Sequence, residues 1–398
     1  MKLMKKISFV LVFAIVFSLG IVGVSSADTN TIHFRDFMGL ILFECEINGE
    51  SGTFLLDSGA DTSIVDEGFA KREGLEEVKG PLGILGAGAI SQYKIDKFVI
   101  GEWFFENTLA TGLDLSIVDR YLGFELTGIV GGDVLSKYVL TIDYQNDMFT
   151  LSDQAPVYEK SAAVIPVRII DKLVFANGSP CGSDDDFNFL VDTGATSLVY
   201  FKNRIEQTCP DYKKWPSSLG WLEATFLGKK EADIYLMPDF SMGGTGIESV
   251  ITTVTEAGIL GLSLNLLSGK PLHGIIGWTF LRNYKVTFDY PGQRMILEPY
   301  EVYIDKWPHL FDSVGIMIAY ENGVPIIEHL LPNTPAANSS IEIGDTLVEI
   351  DGKQAKTMDA LEISELVMGE PGTTVTLVLK RGTQEYRVQL KRVDLFSN

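Results

Sequence analysis

The sequence predicts a mainly β protein made of two related β lobes and a smaller α+β module. Three observations carry this. First, an apolar strand ending in Asp, a small hydroxyl residue and Gly occurs twice. It reads Phe54-Leu55-Leu56-Asp57-Ser58-Gly59-Ala60-Asp61-Thr62-Ser63-Ile64-Val65 and returns as Phe189-Leu190-Val191-Asp192-Thr193-Gly194-Ala195-Thr196-Ser197-Leu198-Val199. Second, the 24 residues GIVGGDVLSKYVLTIDYQNDMFTL from Gly128 align without a gap with GIIGWTFLRNYKVTFDYPGQRMIL from Gly274, sharing nine identities. Two matches in the same order mean a duplicated unit. Third, the pattern changes near Asp305 to short strands mixed with a helix. The offset between copies grows from 135 residues (Asp57 to Asp192) to 146 (Gly128 to Gly274), so the second copy carries extra residues in its middle.

The elements follow in order. Residues 1–27 read as a signal peptide. Lys2, Lys5 and Lys6 precede the apolar run Ile7 to Val24, and Ser25-Ser26-Ala27 offers small residues before a cleavage point at Asp28. The run is long, so a single-pass anchor stays open, and the membrane is a partner only if the segment is uncleaved. Residues 28–157 form the first lobe. Leu40 to Ile47 is a strand, Asn48 to Gly52 a turn, and Thr53 to Leu56 a return strand. Residues 158–302 form the second lobe, in which Ala163 to Val174 reads as one strand and Phe187 to Val191 as another. Asp66 to Gly74 and Lys202 to Cys209 read as short helices. In the module, residues 305–395, strands are expected at Gly315 to Ile318, Val324 to Leu331, Ile343 to Ile350, Val375 to Lys380 and Glu385 to Lys391. Helices are expected after Pro335 and over Met358 to Met368.

Composition narrows the function. With 398 residues, 46% hydrophobic and 21% charged, the chain is globular. At about 150 residues per domain it holds two or three domains. A net charge of −21 argues against nucleic acid as a partner. Loss of the first 27 residues removes three lysines and no acid, which takes the charge to −24. Three cysteines are too few for a disulfide scaffold. Cys181 and Cys209 either pair or stay free, and Cys45 sits in an apolar strand. The four histidines, His33, His273, His309 and His329, lack metal-site spacing, and no metal or cofactor is expected. Asp184-Asp185-Asp186 reads as a solvated loop, and Asp143 and Asp289 as turn acids. No Gly-x-Ser-x-Gly element or Cys/His pair suggests a serine or cysteine hydrolase.

The repeated Asp carries the chemistry. An apolar strand fixes a carboxylate beneath a cleft, and Gly lets the backbone turn tightly. If the copies face each other about a twofold axis, Asp57 and Asp192 meet. Two touching carboxylates cannot both ionise readily, so they share a proton. One then acts as base on a water and the other as acid toward a carbonyl.

DSGADTSIV and DTGATSLV resemble the active-site loops of aspartic proteases. Ile129-Val130-Gly131 and Ile275-Ile276-Gly277 are similar to that family's second signature. The short units look like retroviral-type proteases duplicated in one chain, pepsin-like overall, so the resemblance implies two acid-protease β-barrel lobes. The module resembles a PDZ domain, and the whole looks like bacterial aspartyl proteases with a C-terminal PDZ domain. The resemblance implies Asp57 and Asp192 as the catalytic dyad. It implies Ser58, Gly59, Ala60, Thr193, Gly194 and Ala195 as active-site loop support. A flap is implied over Gly83, Ile84, Leu85, Gly86, Ala87 and Gly88, with Trp221 to Phe226 too bulky to make a second. In the module, Val314, Gly315, Ile316, Ile318 and Leu361 are implied as a peptide-binding groove for a C-terminal carboxylate. Pepsin-like loops place a hydroxyl residue where this chain has Ala60 and Ala195. Without that hydroxyl the dyad is expected to hold its proton to higher pH.

The expectation is a secreted or cell-envelope aspartic endopeptidase, cutting peptide or unfolded protein substrates. Two alternatives remain open at this point. One is an inactive peptide-binding scaffold of the same fold that uses the PDZ groove. The other is a protease latent until the PDZ is occupied.

Overall fold

The computed structural model describes residues 30–82, 89–154, 157–183, 185–225 and 228–397. The expected signal segment and the expected flap residues Gly83 to Gly88 lie outside them. Among the described residues no helix is long and apolar enough to cross a membrane.

Each lobe is an eight-stranded sheet curled on itself. In the first, the strands run across the sheet as Arg35–Phe37, Leu40–Ile47, Glu50–Leu56, Gly128–Val130, Ile64–Asp66, Trp103–Leu113, Ala89–Ile100 and Glu76–Leu82. Leu40–Ile47 also pairs with Ala89–Ile100 and closes the curl. In the second, the order is Arg168–Ile170, Leu173–Pro180, Phe187–Val191, Leu272–Ile276, Leu198–Phe201, Thr245–Thr255, Gly228–Met242 and Ser217–Thr225. Strand for strand the connectivity is the same, including the closing pair. The duplication seen in two segments therefore extends over both lobes.

Local chemistry explains the strands and one misreading. Leu40–Ile47 buries alternate residues along its second half, as a half-covered strand should. Asn48 and Gly49 both have positive φ, at 53° and 95°, which fits a two-residue hairpin turn. The return strand starts at Glu50, earlier than Thr53. Ala163 to Val174 is not one strand. It divides into Ala163–Pro166, Arg168–Ile170 and the start of Leu173–Pro180. The chain reverses at Asp171 and Lys172, with φ of 46° and 68° and no glycine to announce the turn.

A six-stranded sheet joins the lobes, in the order Asn30–His33, Met148–Ser152, Val139–Asp143, Tyr284–Asp289, Arg294–Pro299 and Ala163–Pro166. At its centre Thr141 faces Thr287, with hydroxyl oxygens 2.9 Å apart. These are equivalent positions of the repeat, so the pseudo-twofold axis passes between them. Asp143 accepts from the Asn146 N–H and Asp289 from the Gly292 N–H, each holding a turn.

The module has a five-strand antiparallel path, Ile316–Glu321, Val324–Leu330, Thr346–Ile350, Thr374–Arg381 and Gln384–Lys391. Its helix Ala360–Val367 opens with a capping box between Asp359 and Glu362. The helix expected after Pro335 does not form. Consecutive turns replace it, with Asn338 N–H bonded to Thr334 O and the Ser339 hydroxyl bonded back to Ala336 O.

Cys181 and Cys209 form a disulfide, and Cys45 is free and buried. The bridge ties the end of Leu173–Pro180 to the end of the helix Lys202–Thr208, across 28 residues of sequence. Closing a loop of that size in the unfolded chain is worth about 2–4 kcal/mol. The Cys181→Ala/Cys209→Ala protein is therefore expected to lose about that much stability in urea titrations. Equal midpoints for the two proteins would refute the assignment.

Candidate active site

Asp57 and Asp192 stand at the ends of Glu50–Leu56 and Phe187–Val191. The Gly-Ile-Val and Gly-Ile-Ile segments lie parallel to these strands. The Asp57 N–H donates to Val130 O and the Asp192 N–H to Ile276 O, each at 3.0 Å. The second repeated segment thus fixes the backbone of each carboxylate.

The two loops lock together. The Ser58 N–H donates to Thr193 Oγ1 at 3.0 Å, and the Thr193 N–H to Ser58 Oγ at 3.1 Å. The Ser58 hydroxyl donates to Val191 O at 3.0 Å, and the Thr193 hydroxyl to Leu56 O at 2.9 Å. Both side chains are fully buried. Gly59 and Gly194 allow the close approach. A Cβ on Gly59 would fall 2.3 Å from Asp192 Cγ, and one on Gly194 2.7 Å from Asp57 Cγ.

The carboxyl groups of Asp57 and Asp192 lie within hydrogen-bonding reach of each other across the axis. Each stays partly open to solvent. Asp57 Oδ1 accepts from the N–H groups of Gly59 at 2.7 Å and Ala60 at 3.1 Å. Asp192 Oδ1 accepts from the Gly194 N–H at 2.8 Å. Burial raises Asp57 above its ordinary value. Burial, and then the neighbouring Asp57 charge, push Asp192 well above the ordinary carboxylate value. The pair therefore keeps one proton between them where separate carboxylates would both be ionised.

Sequence reasoning missed two supporting residues. Asp133 Oδ1 accepts from both the N–H and the hydroxyl of Ser63, each at 2.7 Å. At the equivalent place in the second lobe, the Thr279 hydroxyl accepts from the Leu198 N–H and donates to Ile251 O, both at 2.8 Å. The two columns differ between copies, so identity did not mark them. A polar residue in an otherwise apolar segment was the available signal.

The strands Glu76–Leu82 and Ala89–Ile100 on either side of the expected flap residues pair as a hairpin, while those residues lie outside the described ones. Its counterpart in the second lobe, Ser217–Thr225 with Gly228–Met242, is held by the module. Trp221 packs edge-on against Phe311 with centroids 5.5 Å apart. Lys229 pairs with Glu328, and His329 Nε2 bonds to Gly220 O at 2.7 Å.

In the module Val314 is fully buried and Gly315 has a φ of 83°. Ile316 and Ile318 lie half-buried on the edge strand, and Leu361 is buried on the facing helix. Among the described residues, no three His, Cys, Asp or Glu side chains gather as a metal site would require.

Residues 43–134 match the aspartyl protease family model, and residues 326–381 match the PDZ domain model. A CtpA-like serine protease of Staphylococcus haemolyticus is 30% identical over 82 residues, 21% of this chain and 16% of that protein. A carboxy-terminal-processing protease of Bartonella bacilliformis is 30% identical over 99 residues, 23% of each chain. A protein named as a zinc metalloprotease of Mesorhizobium japonicum is 33% identical over 79 residues, 20% of each chain. The chain spans less than a quarter of the length of these relatives. One of these names carries serine chemistry and another zinc chemistry, so the segment shared with them does not define the catalytic type. The chain joins an aspartyl protease domain to a C-terminal PDZ domain.

Proposed function

We propose that the protein is an exported aspartic-type endopeptidase acting on peptides and unfolded proteins. The observation that supports this reading most is the close approach of Asp57 and Asp192, held by interlocked loops from two lobes. In this reading a water sits against both carboxyl groups. The ionised carboxylate takes a proton from that water as its oxygen attacks the peptide carbonyl carbon. The protonated carboxyl gives its proton to the carbonyl oxygen, forming a tetrahedral diol. The proton gained from water then passes to the leaving nitrogen, the other carboxylate takes a proton from one diol hydroxyl as the C=O re-forms, and the C–N bond breaks to leave acid, amine and a pair that again shares one proton. The PDZ domain recruits peptide tails or partners.

The first test is Asp57→Asn and Asp192→Asn, made singly and assayed on unfolded casein. Each is expected to lose at least about 10³-fold in kcat, and the parent to be blocked by a statine-type inhibitor. Thermal unfolding at neutral pH should show no loss of stability, because each change removes one of two crowded carboxylates. Cleavage surviving in either variant would exclude the dyad.

The pH profile is a second test. Ala60 and Ala195 leave the carboxylates without side-chain hydroxyl donors at these positions, and burial raises both. Activity needs one proton on the pair, so it should persist to mildly acidic or near-neutral pH and fall as pH rises through the raised value. Stability has the same sign. The folded pair holds a proton that the unfolded chain releases near pH 4, so this contribution declines as pH rises. An optimum below about pH 3, in the range of pepsin-like dyads, would contradict the role given to Ala60 and Ala195.

A third test addresses the interlock. Thr193→Val keeps the shape but strands the Ser58 N–H and the Leu56 carbonyl. Each buried orphan costs about 1–3 kcal/mol, so urea unfolding should show a loss of at least about 2 kcal/mol. A loss within error of zero would mean that the interlock does not hold the lobes.

A further inference from the structure

The groove implied for a peptide tail is already in contact with the first lobe. Tail capture of this kind adds a strand to a free sheet edge and seats the last side chain against a facing helix. Here the edge strand is Ile316–Glu321, whose pairing in its sheet is with Val324–Leu330. The facing helix is Ala360–Val367. The first-lobe helix Ser116–Leu122 packs against that strand and also reaches that helix. Its residues Val118 and Leu122, with Phe124 just beyond, join one apolar cluster with Ile316, Ile318 and Leu361.

Specific contacts seat it. The backbone at Gly123 lies so near the Tyr320 ring that a Cβ there would fall 2.7 Å from it. The Tyr320 hydroxyl crosses to Met358 O at 2.6 Å, just before the facing helix begins. Arg120 bridges Glu321 at 2.9 Å and Glu328 at 2.5 Å. The same helix touches the second-lobe strand Ser217–Thr225, and Glu328 is shared with Lys229 of the second lobe. Three units therefore meet on seven residues. The apolar cluster runs on to Leu55, Ile129 and half-buried Ala60 beside the catalytic loop.

We propose that the helix Ser116–Leu122 occupies the PDZ groove in cis. A peptide with a free C-terminal carboxylate and an apolar last residue then binds by displacing it, and its binding loosens the first-lobe catalytic loop. The inference rests on the PDZ reading of the module and not on the aspartic chemistry. A groove open only a fraction of the time binds its ligand more weakly by that fraction. By linkage, a tail that holds the groove open must also shift the lobe that closes it.

The test uses the full chain carrying Asp192→Asn, so that the probe is not cut. The probe is an equimolar pool of fluorescein-labelled nonapeptides ending in Val, Leu, Ile, Phe or Ala with free carboxylates. The same pool with C-terminal amides is the control. Two versions open the contact from opposite sides, Val118→Asp/Arg120→Ala in the lobe and Glu321→Ala/Glu328→Ala in the module. Fluorescence polarisation should show at least 10-fold tighter binding to a folded opened version than to the parent, and none of the amide pool. Hydrogen exchange on the parent, with the acid pool added, should rise over Ser116–Leu122 and over Leu55–Ile64. Equal affinity in parent and opened versions overturns the proposal. So does failure of a cooperatively unfolding opened version to bind. Faster exchange at the helix alone overturns the link to the catalytic loop. Failure of the casein assay would sink the dyad chemistry and leave these readouts standing.

Discussion

The structure depends on one reciprocal interaction, the exchange of hydrogen bonds between Ser58 and Thr193. Each hydroxyl accepts from the backbone of the opposite loop and donates to a carbonyl behind the opposite aspartate. All four bonds are buried, so breaking one strands groups that water does not reach. This couples the lobes at the point where the carboxylates meet. The interlobe sheet and the Thr141–Thr287 contact place the same axis from below. A lobe alone would leave half of the interlock unsatisfied. The two copies are therefore one functional unit, although each has its own closed sheet.

That coupling forces a charge problem on the molecule. Two acids are pressed together beneath a cleft, with backbone N–H groups as their donors within each loop. Those donors favour the ionised form, while burial and mutual repulsion oppose it. Burial wins at both carboxyls, and at Asp192 the Asp57 charge adds to it. The result is a pair suited to hold one proton, which is the state acid–base work on a carbonyl requires.

Much of this was legible in the residues because the duplication wrote it twice. The Asp-Ser-Gly and Asp-Thr-Gly strands, the Gly-Ile-Val and Gly-Ile-Ile segments and the change near Asp305 each stand out by pattern. What stayed hidden had no repeated or compositional mark. The hairpin at Asp171-Lys172 uses two non-glycine residues at positive φ, so nothing punctuated the chain there. Asp133 and Thr279 do equivalent work with different chemistry. The disulfide joined two cysteines whose spacing alone allowed either state. The contact between the module and the lobes depends on tertiary packing, which periodicity within one element does not encode.

The packing of the module also changes how the second lobe is understood. Its hairpin Ser217–Thr225 with Gly228–Met242 is the topological partner of the first-lobe hairpin Glu76–Leu82 with Ala89–Ile100, yet Trp221, Gly220 and Lys229 are committed to Phe311, His329 and Glu328. Bulk at Trp221 therefore has a positive explanation, since the ring is an anchor for the module. Arg35, from the first lobe, reaches Asp359 at the cap of the module's helix at 2.5 Å, and Trp307 Nε1 donates to Asp36 at 3.2 Å. A module bound to both lobes cannot move as a tethered receptor without disturbing them. Several of these contacts are ion pairs exposed at the rim, and salt weakens such pairs over about 8–10 Å. The apolar contact of Leu122 and Phe124 with the module is not screened in this way. Ionic strength would therefore act on the rim of the junction before its centre, and the apolar helix contact would be the last part to open.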